Sequence, residues 1–154
     1  MTSLIQIPPI FGVLGIACAA IIYMLMIKFP AGNEKVTKIG DAIHEGAMVF
    51  MHREYLMLLA FTVPLFLIIL ATPLGWNTAL AFAVGAISSA VAGYMGMFAA
   101  TKANVRTTTA AQDSGTAGAL TVAFYGGSIM GLLVASLGLI GLGSLYWYFG
   151  GDPH

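Results

Sequence analysis

Charge is what this sequence has least of. Only 8% of its 154 residues are Asp, Glu, Lys or Arg, where a soluble domain carries about a quarter. Six acidic side chains balance six basic ones, so the formal net charge is zero. That leaves no basic surface for nucleic acid and no acidic face for a cationic partner. Lys102, Arg106 and Asp113 are the only charged residues between Glu54 and Asp152. A single cysteine, Cys18, excludes an intramolecular disulfide, and its expected role is a small apolar residue buried in the first hydrophobic run. No basic residue precedes that run and Lys28 follows it, so a cleaved signal peptide is not expected.

Hydrophobic sequence fills the space instead. It makes up 59% of the chain and gathers in runs of about 20 residues, too long for a soluble core and long enough to cross a bilayer. The expected fold is a single all-α membrane domain, a bundle of four transmembrane helices over residues 10–29, 47–72, 79–100 and 119–149. Pro8 and Pro9 precede the first span, where missing backbone donors do no harm, and Lys28 and Pro30 close it. Residues 31–55 hold most of the charge. Val36, Ile39, Ala42, Ile43, Ala47 and Phe50 recur there at helical spacing, which predicts an amphipathic helix running into the second span. Pro64 falls inside that span and should kink it. The segment 72–78 reads as a tight turn, with Trp76 at headgroup level.

Small residues stripe the later spans. Gly85, Ser89 and Gly93 fall four apart, with a parallel row at Ser88, Ala92, Gly96 and Ala100; Gly127, Gly131 and Ala135 repeat the spacing. Such faces let another helix come close, so Gly85, Ser89, Gly93, Gly127 and Gly131 are the expected contacts for further helices or subunits. Gly93→Leu or Gly131→Leu is expected to lower stability. Residues 101–118, polar and rich in Thr and Gly, read as a loop. All six basic residues lie in two segments, Lys28, Lys35, Lys38 and Arg53 in one, Lys102 and Arg106 in the other. The loops 30–46 and 101–118 are therefore expected in the cytosol and both termini on the opposite side. Tyr146, Trp147 and Tyr148 form an aromatic belt at the far end.

No ionisable side chain lies near the middle of any span, where proton or ion carriers place one. His44, Glu45 and His52 lack the H-E-x-x-H spacing that sets two imidazoles on one helix face, and read as solvated interfacial residues. Asp41 and Glu45, one turn apart, could share Mg²⁺, but diphosphate chemistry needs more acids and accompanying cations. Lys102 has no glycine-lysine-hydroxyl run around it. Lys102 and Arg106, one turn apart, read as orienting charges and lipid-headgroup contacts, or as part of an anion-facing surface. Thr107, Thr108 and Thr109 can bond a backbone carbonyl. No catalytic, cofactor-binding or metal residue is assigned.

Three segments carry a family likeness: 32–55, 92–112 and 119–142. Their features are Glu45, Gly46, Ala47, Arg53, Glu54 and Tyr55; Gly93, Tyr94, Gly96 and Met97; Ala103, Asn104, Arg106 and Thr107; and the small-residue pattern from Gly126 to Gly138. In order and spacing they resemble the N-terminal region of membrane-integral inorganic pyrophosphatases, the pyrophosphate-energised proton or sodium pumps. The resemblance implies a multi-pass protein of a bacterial or archaeal inner membrane, N-terminus outward. It also implies the first four of sixteen helices, an outer ring around catalytic helices absent from this sequence. The implied role is scaffold, without a self-contained site, and with Mg²⁺ needed only by a complete pump. The other expectation is a four-helix accessory subunit of another membrane complex, derived from that family and without pyrophosphatase activity.

Overall fold

The computed structural model describes residues 7–149. They form three helices, α1 (Ile7–Ile27), α2 (Glu34–Ala71) and α3 (Gly75–Tyr148), each long and apolar enough to cross a membrane. Among the described residues there is no strand. The expected all-helical class holds, with the third and fourth expected spans both falling within α3.

α1 has 21 residues, about 32 Å of helix, which matches a hydrocarbon core of about 30 Å. Pro8 and Pro9 fall in its first turn, where no backbone donor is required. Its end tightens as Lys28 N–H bonds Leu25 O and Phe29 N–H bonds Met26 O, both at 3.2 Å. α2 starts where Asn33 caps it: the side-chain oxygen accepts from Val36 N–H at 3.0 Å, and Glu34 sits at the positive helix end. The amphipathic segment and the second span are one helix of 38 residues, about 57 Å long. It passes through Pro64 and stops at Thr72, whose hydroxyl donates to Ile69 O at 2.7 Å.

α3 is interrupted once. Gly115 has φ 68° and ψ −161°, a conformation open in practice only to glycine. It divides α3 into arms 75–114 and 116–148 that run antiparallel against each other. The contacts step outward from the break. A Cβ on Gly118 would lie 3.3 Å from Ala110 O, one on Gly126 2.5 Å from the Ala103 Cβ, one on Gly96 2.7 Å from Met130, and one on Gly141 3.6 Å from Val84. The expected loop 101–118 is therefore helix apart from Gly115. Its hydroxyls explain why: Thr101, Thr108 and Thr109 donate to the carbonyls of Phe98, Asn104 and Val105 at 2.9–3.1 Å. Each threonine is satisfied by its own helix rather than by water.

The core lies between α1 and the hairpin. α1 offers it a narrow face, Gly12, Ala19 and Met26, seven residues apart, the repeat of helices that pack at a shallow angle. With Ala99, Ala103, Val122, Ile129 and Leu133 they close around Met26 and Val122, which are fully buried. Cys18 falls beside that face and is exposed, not buried as expected. α2 packs on α3 alone; among the described residues α1 and α2 do not pack on each other.

Close helix approach is made by glycines other than most of those expected. A Cβ on Gly12 would lie 2.7 Å from Ser136 O, and one on Gly143 2.6 Å from the Pro9 ring. Gly85, Gly127 and Gly131 have nothing within 4 Å of that position, and Gly93 meets only the Tyr55 hydroxyl, at 3.3 Å. Large apolar side chains including Leu56, Met57, Leu59, Phe61, Leu67 and Ile68 stand exposed along α2. An apolar surface of that extent requires lipid or protein around it.

Candidate functional site at the polar end of the bundle

Helix length creates this end. α2 and the first arm of α3 both outrun the hydrocarbon thickness, and both carry their polar residues where they overrun. The two segments meet side by side: Gly40 sits against Val105 and Gly32 against Thr109. Residues that are far apart in the sequence, among them Lys35, Lys38, Lys102 and Arg106, therefore gather at one end.

Two polar contacts fasten the segments. His44 Nδ1 lies 2.7 Å from Thr101 Oγ1, and Thr101 is only 3% exposed. The Thr101 hydroxyl also lies 2.9 Å from Phe98 O, so it links the imidazole to the backbone of α3. The imidazole ring stands edge-on to Phe98 with centroids 5.2 Å apart. One further contact lies deeper, where the Tyr55 hydroxyl donates to Ala90 O at 2.5 Å.

Arg106 ties α3 to α1. Its Nε donates to Ile27 O at 3.4 Å and its Nη1 to Lys102 O at 2.9 Å. Ile27 ends α1, so the guanidinium supplies both a donor and a positive charge to carbonyls left without helical partners. Replacing it (Arg106→Gln) is expected to cost about 1–2 kcal/mol. Thermal unfolding in detergent, with Lys35→Gln as an exposed comparison, checks this; equal midpoints for the two variants would contradict the capping role. Sequence reasoning missed this role. The available signal was the cluster of unpaired carbonyls that must end at Ile27, within reach of some basic side chain.

The remaining candidates do not converge. His44 turns toward α3, whereas Asp41, Glu45 and His52 are exposed, and among the described residues no three His, Cys, Asp or Glu side chains lie together as metal ligands. The cleft between the polar segments is small, about 120 Å³, lined by Val36, Ile39, Gly40, Ile43, Asn104 and Val105 among others. Larger open grooves run along the apolar part. One between the arms of α3, about 430 Å³, includes Gly85, Ser89, Gly93 and Gly138. One between α2 and α3, about 540 Å³, begins at Glu54. One between α1 and α3, about 360 Å³, holds Tyr23 and Phe98. The polar end can clamp helices together and present cations to a boundary.

Against known proteins, a family model described as inorganic H+ pyrophosphatase matches residues 13–153. The chain is 42% identical over 152 residues to a K(+)-insensitive pyrophosphate-energized proton pump of Methanosarcina mazei, covering 97% of this chain and 22% of that protein. It is 40% identical over 151 residues to K(+)-insensitive pyrophosphate-energized proton pump 2 of Moorella thermoacetica, with 97% and 22% covered. With a K(+)-stimulated pyrophosphate-energized sodium pump of Thermotoga maritima the identity is 39% over 135 residues, 86% and 18% covered. The chain spans about a fifth of the length of the curated relatives it matches.

Proposed function

The chain belongs to the inorganic H+ pyrophosphatase family, and from that premise we propose that it is the helix-packing portion of a pyrophosphate-energised ion pump. Its part is structural: it fixes neighbouring helices, while hydrolysis and ion transfer rest on segments outside these 154 residues. One observation carries this. The residues that give the sequence its family likeness make helix contacts: Arg106 at the end of α1, Tyr55 on Ala90 O, Gly96 under Met130 and Gly126 against Ala103.

In the proposed arrangement α1, α2 and the two arms of α3 make four crossings, with the polar end in the cytosol and both termini opposite. The gathering of Lys35, Lys38, Lys102 and Arg106 at one end supports that orientation. So does the placing of Trp76 and Trp147, both exposed, at the opposite ends of the α3 arms from Gly115. Mg²⁺ belongs to the complete pump in this reading, and no side chain here is assigned to it.

Purification from native membrane in mild detergent, with mass spectrometry of associated polypeptide and an assay of Mg²⁺-dependent pyrophosphate hydrolysis, tests the proposal. Hydrolysis is expected from preparations that retain the remaining pump segments and is expected to be absent from the isolated 154 residues. Association with an unrelated membrane complex in fixed stoichiometry, without hydrolysis, would overturn it in favour of an accessory subunit.

A further inference from the structure

The three apolar grooves differ in what stands at their polar ends. The groove between the arms is lined by small and aliphatic side chains with no charged residue. The groove between α2 and α3 has the Glu54 carboxylate at its mouth. Only the groove between α1 and the first arm leads toward cations. Its walls include Ile16, Ala20 and Tyr23 on α1 and Met95, Phe98 and Ala99 on α3. On an α-helix Lys102 is the next side chain along that face from Phe98 and Ala99, and Arg106 the next after it. α1 gives the same alignment, because Ile27 lies one turn beyond Tyr23 and its carbonyl holds Arg106 Nε at 3.4 Å. Groove and cations are thus one continuous surface, apolar along its length and positive at its end.

Arg106 has donors to spare. A guanidinium carries five N–H groups, and the two hydrogen bonds described go to backbone carbonyls, so its charge is not neutralised by them. Lys102 is half-buried beside it. An acyl chain suits the walls of this groove, and a phosphate oxygen suits its end.

We propose that this groove is a binding site for an anionic phospholipid, one hydrocarbon chain lying between α1 and the first arm and the headgroup phosphate meeting Lys102 and Arg106. A zwitterionic lipid gains less there, since its own cation offsets the phosphate, and a carboxylate-mouthed groove such as that at Glu54 repels the same headgroup.

The test uses the full chain in bilayers, with Met95→Trp as a reporter in a Trp76→Phe, Trp147→Phe background. Phosphatidylglycerol and phosphatidylcholine with brominated acyl chains serve as quenchers. Phosphatidylglycerol is expected to quench the reporter with roughly fivefold preference over phosphatidylcholine, the discrimination one cation near the headgroups provides. Lys102→Gln should weaken the preference, leaving Arg106 as the remaining cation, and Lys102→Arg should restore it. A reporter on the open face of α2, Met57→Trp, should show no preference. Equal quenching by both lipids at Met95→Trp, or a preference undiminished by Lys102→Gln, would overturn the proposal. So would loss of the preference on adding inorganic pyrophosphate, which would mark an anion site rather than a lipid site. Protection from both lipids when the remaining pump segments are present would also overturn it, showing a helix in the groove.

Discussion

Leucine at position 12 is expected to detach α1 from the bundle. The Cβ of any side chain there would lie 2.7 Å from Ser136 O and 2.6 Å from Ile140 Cγ1. The isoleucine can turn away, but the carbonyl is helix backbone and cannot move without moving the second arm. Overpacking costs about 1–3 kcal/mol where side chains can adjust, and Gly12→Leu should sit at or above the upper end of that range. Gly131→Leu is the comparison. Nothing lies within 4 Å of its Cβ position, so the isolated chain should keep its stability within about 0.5 kcal/mol. Thermal unfolding of both variants in the same detergent distinguishes the two. Equal losses would mean that the arms and α1 are not arranged as described. The change at Gly131 becomes informative in the complete pump, where a loss would report a contact from a neighbouring helix.

Gly115→Ala is expected to open the hairpin. An L-residue held at φ 68°, ψ −161° is strained by about 1–3 kcal/mol, and alanine also gains about 1 kcal/mol over glycine in a continuous helix. Both effects push the arms apart. Spin labels at Ser89 and Gly138, two residues of the groove between the arms, would read this in a Cys18→Ser background. The native glycine should give a short, narrow distance distribution and the alanine variant a longer and broader one. Two superimposable distributions would show that the turn does not depend on glycine.

Helix class and the extent of the apolar runs were readable from composition alone, since hydrophobic length is a bulk property. The meeting of the basic segments was readable too, because charge distribution follows the membrane boundary whatever the packing. The loop at 101–118 misled because threonine, polar in a sequence, turns its hydroxyl back onto the carbonyl four residues earlier and costs a helix little. The glycine rows were legible in part: Gly96, in the row from Ser88 to Ala100, packs on Met130, while Gly85, Gly127 and Gly131 are uncovered within this chain. A four-residue spacing marks a helix face but does not say which face is covered, and Gly12 and Gly143, which make close contact, stand outside the rows at Gly85 and Gly127. At the candidate site, Arg106 was singled out for its charge, whereas its bond to Ile27 O depends on a neighbour far off in the sequence. His44 was likewise weighed with Glu45 and His52, its neighbours in sequence. Its partner in space, Thr101, is on another helix.

The break at Gly115 also orders events in time. The hairpin closes between residues near one another in the chain, such as Ala110 and Gly118, so its turn can form as soon as it is made. α1 has no such local partner. Its seat on Ser136 and Gly143 lies more than a hundred residues downstream, and a ribosome adding about 5–20 residues per second needs on the order of 10 s to reach it. Until then α1 is held only where the first arm reaches it, through Arg106 at Ile27 O and through Ala99 and Ala103, and α2 must wait for the first arm in the same way. The second arm follows the first and is the one on which Gly12 of α1 settles. A nascent chain stopped just past Gly118 would therefore hold its hairpin turn and the contact of α1 with the first arm, and still lack the seat of α1 on the second.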